Sequence, residues 1–357
     1  MKKLIILAVP LSVCNLRCDY CYLTARRQFE SGHLPDMRFS PQQIAYALRF
    51  DRIGGHALIN ICADGETLLL PNLKDYVAEL AAQGHYIEIV SNMTTTKKLN
   101  ELLALERSVL DRVVFKCSCH YLELKRSNLL KEFANNVNRA YEAGSSITVE
   151  VTPEDSLIPY IDELKEYCMR EFGALPHVTI ARDDSDPDIP RLTSLSLVDY
   201  NRVWDSFDSS FWDFKTSIFG KRQTAYCQAG SWSYYVNMAT GDAAQCYCGR
   251  LVGNVFENPD ESLPGCAIGS CPLPHCYNGH ELLAVGLIPS LDTPSYSEIR
   301  DRIRPDGSHW LRPTFRHFLS EKLIDDNEVD GVLVSLFRRL NSKGRAALSA
   351  LRDRKKL

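Results

Sequence analysis

From Leu4 onward, short apolar runs alternate with stretches whose apolar residues recur every three or four positions. Runs over 4–11, 57–62, 86–91, 112–117, 146–151 and 177–181 predict six buried strands. The stretches between them predict helices over 41–51, with Ser40 as N-cap, and over 73–83, closed by Gly84. Further helices are expected over 97–106, over 124–143 before Gly144, and over 158–172 before Gly173. Strands that alternate with helices imply an α/β fold, a parallel sheet wrapped by helices. Periodicity does not choose between an open sheet and a barrel. In both, ligands sit at the C-terminal ends of the strands, so the short segments there carry the functional interest.

The pattern breaks at 183–190, an acidic, proline-bearing stretch that reads as a linker. Trp204, Phe207, Phe211, Trp212, Phe214 and Phe219 follow, and then a compact cysteine-rich section. The expected organisation is a core domain over 1–182, a connecting segment over 183–226, a cysteine-rich domain over 227–285 and a helical extension over 286–357. No internal repeat is present.

Composition sharpens this outline in three places. A net charge of -4 over 357 residues argues against nucleic acid as partner. From 338 to 357, eight Lys or Arg face one acid, Asp353, which suits a solvated helix end or contact with an acidic partner. Thirteen cysteines, an odd number in tight spacings, fit metal ligation better than a secreted disulfide framework. Lys2-Lys3 and the apolar run before Cys14 resemble a short lipoprotein signal, but Pro10 interrupts the run and Val13 is not small. No apolar run approaches the ~18 residues of a membrane helix. A cytoplasmic, reducing and oxygen-poor setting, without membrane insertion, is the expectation.

Directly after the first strand comes Cys14-Asn15-Leu16-Arg17-Cys18-Asp19-Tyr20-Cys21. Thiolates are soft ligands suited to iron–sulfur clusters and zinc, and a four-iron cluster usually takes four cysteines. Three cysteines within eight residues, with no close fourth, suggest one iron left open for chemistry. The alternatives are an incomplete zinc knuckle or plain buried cysteines. Cys-x3-Cys-x2-Cys with Tyr20 before the last cysteine resembles the signature of the radical S-adenosylmethionine (SAM) superfamily, over about residues 3–182. The resemblance implies a partial (β/α)6 TIM-like barrel and a [4Fe–4S] cluster on Cys14, Cys18 and Cys21. It implies SAM chelated to the open iron and cleaved to methionine and a 5′-deoxyadenosyl radical. It also implies an electron donor such as a flavodoxin or ferredoxin.

Other strand ends resemble the family's SAM-binding segments. Cys62-Ala63-Asp64-Gly65-Glu66-Thr67 resembles its glycine-glycine-glutamate-proline motif, with Thr67 in place of proline. This implies that Gly65 and Glu66 hold the SAM amino group, a charge-assisted contact. A solvent-facing loop acid is the plain alternative. Ser91 and Asn92 resemble the polar segment near the ribose, though such residues also serve turns. Ser118 is expected at the ribose or carboxylate. Cys117 or Cys119 could return a hydrogen atom to a substrate radical, although free cysteine is more often a small buried hydrophobe.

The section from Cys227 has Gly241 and Cys246 at the spacing Cys-x13-Gly-x4-Cys, which resembles the opening of SPASM and twitch auxiliary-cluster domains. The tight cysteine run of a full SPASM domain is absent, so one auxiliary [4Fe–4S] cluster is expected, on Cys227, Cys246, Cys271 and Cys276. Cys248 and Cys266 are reserves, and a four-cysteine zinc site is the alternative. His275 and His280 are expected behind the ligands or at the surface, and Tyr277-Asn278-Gly279 as a turn.

The expected activity is radical SAM chemistry on a small molecule, such as a sugar or aminocyclitol-like alcohol, with the auxiliary cluster in electron transfer. A maturase that cross-links or epimerises a ribosomal peptide is the alternative, with Trp232, Tyr234 and Tyr235 able to line a peptide channel. A non-catalytic iron–sulfur or zinc scaffold is the third reading.

Overall fold

A computed structural model describes residues 1–25, 36–247 and 249–329. Cys248 and the basic segment 338–357 lie outside the described residues. Among the described residues nine strands form one sheet: β1 Lys3–Val9, β2 Ala57–Ala63, β3 Tyr86–Ser91, β4 Val113–Ser118, β5 Ser146–Val151, β6 His177–Val178, β7 Ser233–Asn237, β8 Asp242–Ala244 and β9 Leu251–Asn254. Their order is β6-β5-β4-β3-β2-β1-β7-β8-β9. The six expected strands all form, and β1 to β6 pair in parallel. The outer edge of β1 pairs in parallel with β7, from which β8 and β9 continue as an antiparallel meander. The sheet is thus open, as a partial barrel requires, and the cysteine-rich section extends it.

β1 stops at Val9 because Pro10 has no N–H for the ladder. The helix at 41 begins as expected, with Ser40 and Gln43 closing a capping box around Pro41–Ala47. The single helix expected over 124–143 is two, Tyr121–Arg126 and Leu130–Ala143. Asn128 between them adopts a left-handed conformation (φ 56°), which an apolar periodicity does not reveal.

The alternation of each strand divides the core in two. Leu7, Ile59, Ile61, Ile89, Phe115 and Val149 pack against helices Leu73–Ala82, Thr96–Leu103, Leu130–Ala143 and Ile161–Phe172. Leu4, Ile6, Leu58 and Val114 face the other way, against helices Ser210–Ile218, Tyr296–Arg300 and Pro313–Ser320. The stretch beyond 183 is therefore more than a tether: Trp204 and Trp212 enter the first core, Phe211 and Phe214 the second.

This second, inner face also buries charge. Lys116 on β4 lies 3.2 Å from Glu88 on β3 and 3.9 Å from Glu281, which follows the cysteine-rich loop. The Asn60 amide on β2 donates to Glu88 and, at 3.2 Å, to Glu281, and the Tyr296 hydroxyl donates to Glu88 at 3.0 Å. Arg300 pairs with Glu150 on β5 at 2.8 Å. Burial, with the Glu88 charge beside it, pushes the Glu281 carboxyl up to about 7, against the pull of Lys116 and Asn60. A carboxyl raised in the folded state binds a proton the unfolded chain has released, so this group makes stability fall as pH rises from about 4.5 to 7. Glu281→Gln should remove that slope: urea unfolding at pH 5 and 7.5 should show the wild type losing ~2–3 kcal/mol more than the variant.

Candidate functional site

The segment 10–21 has no regular secondary structure, and the chain beyond three strands holds it in place. The first is the loop after β2. The backbone N–H groups of Gly65 and Glu66 donate to the carbonyls of Leu11 (2.6 Å) and Val13 (2.9 Å). A Cβ on residue 65 would lie 2.2 Å from the Val13 carbonyl oxygen, so only glycine permits the approach. The second is the end of β3. Asn92 donates to Asn15 Oδ1 at 2.9 Å and approaches Cys14 Sγ at 3.8 Å, while Asn15 donates to Thr94 Oγ1 at 2.7 Å. The third is the end of β4, where Glu123 accepts the Arg17 N–H at 2.9 Å and the Tyr20 hydroxyl meets His120 Nδ1. Burial pushes His120 down to about 4, so the neutral ring accepts and Tyr20 donates. Just past the segment, the Tyr22 hydroxyl adds a second contact to the loop after β2, donating to the Asp64 carbonyl at 2.7 Å.

The three thiols sense one another. Burial pushes Cys14 up to about 11, with Glu66 and Cys21 adding to the shift and the Leu16 N–H opposing it. Burial raises Cys18 further, reinforced by Cys21, Glu123 and Cys14. Three thiolates cannot share this space without added positive charge, which iron supplies. Among the described residues no three of His, Cys, Asp and Glu converge on a point that would hold a single metal ion. A four-iron cluster binds each thiolate on a different iron and does not require such convergence. The donor set therefore fits the cluster.

The other expected SAM-binding residues take visible positions. Glu66 is 2% exposed, and its carboxylate accepts from the Leu68 N–H (2.9 Å), the Ser91 hydroxyl (2.7 Å) and the Asn92 N–H (2.8 Å). It ties the β2 loop to the β3 loop and keeps room for one further donor. Thr67, where the family has proline, accepts the Ala63 N–H at 3.0 Å, a contact that closes the turn by other means. Ser91 and Asn92 are buried supports of the cysteine segment, and Ser118 is half-buried at the end of β4 on the inner face.

Two expectations need correcting. Cys117 and Cys119 are buried in the core on the helix-covered side, away from the inner face, so neither is placed to return hydrogen to a substrate there. The inward thiol is Cys62 at the end of β2, pushed up to about 12 by burial and set among Lys116, Glu281, Asp64 and Glu88. His275 and His280 are both buried, which removes the surface reading: His275 packs on Phe219 and His280 on Phe211. Asn15 and Glu123 were not singled out in the sequence, and Thr94 and His120 were noted there for other roles, near the ribose and beside the Cys117 and Cys119 thiols. All four lie within five residues of a strand end or a motif cysteine.

In the cysteine-rich section, Cys227 and Gly269 exchange backbone hydrogen bonds of 2.9 and 3.0 Å, which brings Cys227 beside the segment that leads to Cys271. Cys227, Cys246 and Cys276 border the inner core cluster, and all four expected ligands are half-buried. Cys266 differs. It is 2% exposed, and its sulfur accepts the Gln245 amide at 3.6 Å. Trp232 and Tyr234 are core residues, whereas Tyr235 is half-buried and stacks near Tyr247, ring centroids 4.8 Å apart.

The clamp at Gly65 yields a direct test. Gly65→Ala should displace the cysteine segment, so anaerobic reconstitution should bind clearly less iron than the wild type, measured by iron assay and visible absorbance, while the far-ultraviolet circular dichroism is kept.

Residues 9–152 match the family model described as the Radical SAM superfamily. No curated protein matches the chain. Among solved structures, SuiB of Streptococcus suis is similar at 14% identity and a TM-score of 0.47, over 72% of this chain and 64% of that one. SuiB has also been solved with S-adenosylmethionine and with its precursor peptide SuiA. This chain thus spans less than two thirds of SuiB. The protein anSMEcpe with bound AdoMet is similar at 13% identity and a TM-score of 0.47, over 72% of this chain and 79% of that one. BtrN in complex with AdoMet and 2-DOIA is similar at 15% identity and a TM-score of 0.32, over 73% and 80%. These are likenesses of fold in outline. No described helix is long and apolar enough to cross a membrane. With its three cysteines clamped at the end of a first parallel strand, residues 9–152 are a radical SAM superfamily domain.

Proposed function

We propose that this enzyme removes hydrogen from a carbon of a substrate held over the inner face of the sheet, with Cys14, Cys18 and Cys21 as ligands of the catalytic [4Fe–4S] cluster. The clamping of these cysteines by the loops after β2, β3 and β4 carries the proposal. When bound, the cluster supplies the electron that splits SAM and so provides a radical strong enough to take hydrogen from carbon. The protein's own part is positioning. Gly65 and Glu66 fix the start of the cysteine segment and offer SAM a polar edge beside it. Asn92 holds Cys14 and Asn15, Tyr20 and His120 brace the far side of the segment, and Ser118 faces the same end of the sheet. Cys227, Cys246, Cys271 and Cys276 are proposed as ligands of one auxiliary cluster that exchanges electrons with the substrate or with a flavodoxin- or ferredoxin-like donor.

For the substrate we put the peptide reading ahead of the small molecule expected first. Residues 211–323 fill the lower part of the inner face, so the reacting carbon must be presented near the strand ends. A peptide can insert one side chain into such a mouth and keep the rest of its length outside, whereas a small ligand gains most of its affinity from enclosure. The half-buried Tyr235, beside Tyr247, is the aromatic residue of this face suited to line the entry.

Anaerobically reconstituted protein should bind about eight irons per chain, and Cys227→Ala should bind about four. With dithionite and SAM it should form 5′-deoxyadenosine, and Cys14→Ala should form none. If SAM neither binds nor perturbs the cluster spectrum, the radical reading falls. A second site that holds zinc in place of four of the irons would remove the auxiliary cluster. Peptides encoded beside the gene should accelerate 5′-deoxyadenosine formation. Acceleration by aminocyclitols alone would restore the small-molecule reading.

A further inference from the structure

Helix Ser210–Ile218, in the segment that joins the domain to the cysteine-rich section, buries a lysine that the radical chemistry does not use. Lys215 is 2% exposed. Its amine donates to Thr179 Oγ1, just past β6, and among the described residues no carboxylate lies within ion-pair distance of it. It does not stand alone. The buried Phe211 ring has the Lys215 amine 5.5 Å from its centroid, the Arg300 guanidinium carbon at 4.6 Å and the His280 ring at 4.9 Å. Arg300, 1% exposed, spends Nη1 on Glu150, but its Nε and Nη2 have no hydrogen-bond partner among the described residues. The same holds for His280 Nδ1.

Three basic side chains thus surround one apolar ring with N–H capacity unspent. Buried donors without acceptors are costly, and a buried ammonium without a counter-charge is more so. Burial depresses the Lys215 amine well below its ordinary range. Arg182, Lys116 and Arg300 push the same way and Glu150 opposes them. On the side of the strand ends its neighbours Glu150 and Thr179 are only partly buried, and Arg182 is about a quarter exposed. The unspent Nε–Nη2 edge of Arg300 is the one that donates two parallel hydrogen bonds to the two oxygens of a carboxylate.

We propose that Lys215, His280 and the Nε–Nη2 edge of Arg300 form a receptor for a carboxylate on the substrate: an Asp or Glu side chain, or the C-terminus, of a peptide. The inference rests on the placement of the substrate over the inner face. It also gives the connecting helix a role in selecting the substrate.

The test uses the full chain, reconstituted but without SAM or reductant, so it reads the receptor whatever the outcome of the cleavage assay. Trifluoroacetate is the anionic probe and trifluoroethanol the neutral one, each followed by fluorine NMR line width at constant ionic strength. The wild type should broaden trifluoroacetate saturably and leave trifluoroethanol sharp. Lys215→Met should weaken trifluoroacetate binding by about tenfold or more, and Lys215→Arg should keep it. Equal broadening of both probes, or undiminished trifluoroacetate binding in Lys215→Met, overturns the proposal. If Lys215→Met does not fold by circular dichroism, Lys215→Gln replaces it under the same two outcomes.

Discussion

The arrangement of this molecule depends on one close approach of two backbones. The cysteine segment has no helix or strand of its own to hold it, so its three thiols can meet only if something else fixes it. That something is the pair of N–H groups of Gly65 and Glu66, set against the carbonyls of Leu11 and Val13. The contact exists because residue 65 has no Cβ. Glu66 then passes the constraint on. Its carboxylate gathers the Ser91 hydroxyl and the Asn92 N–H, and Asn92 in turn reaches Asn15 and Cys14. Loops after two neighbouring strands and the segment after a third are locked as one unit, on the edge where a parallel sheet offers its ligand site.

Beneath that edge the sheet carries buried charge instead of a uniformly apolar core. Asn60, Glu88, Lys116 and Glu150 lie on consecutive strands and face Glu281, Tyr296 and Arg300 from the C-terminal part of the chain. Buried pairs of this kind gain little net stability against apolar packing of the same volume, but removing one partner is costly. They couple the C-terminal helices to the sheet by directed contacts. The charged interior and the clamped cysteine segment are two levels of the same chamber, with Cys62 between them at the end of β2.

The cysteine-rich section is continuous with this chamber. β7 pairs in parallel with β1, so the strand that leads into the three-cysteine segment also carries the start of the cysteine-rich section's meander. Tyr235 on β7 and Tyr247 just past Cys246 bring their rings within 4.8 Å of each other. One strand with a partner on each side thus sets the separation of both sites.

Much of this was legible in the chain alone. The six parallel strands, their helices and the three-cysteine segment follow from apolar periodicity, glycine stops and ligand spacing. These are local properties, and a strand buried on both faces needs only a run of apolar residues. The break at Asn128 escaped, because a left-handed residue leaves the helical period on either side intact. Side-chain direction escaped as well. Spacing marks Cys117 and Cys119 as chemically interesting, but the pleat of β4 turns Cys117 toward the helices, and Cys62 faces inward. The supporting contacts of Asn92, His120 and Glu123 carry no local signature, because they reach across about eighty to a hundred positions of sequence. The sequence by itself determined which residues could hold a cluster and on what kind of sheet. Only the tertiary structure decided what fixes those residues, which thiol faces the chamber and which charges are left without a partner, because each depends on elements far apart in the chain being packed together.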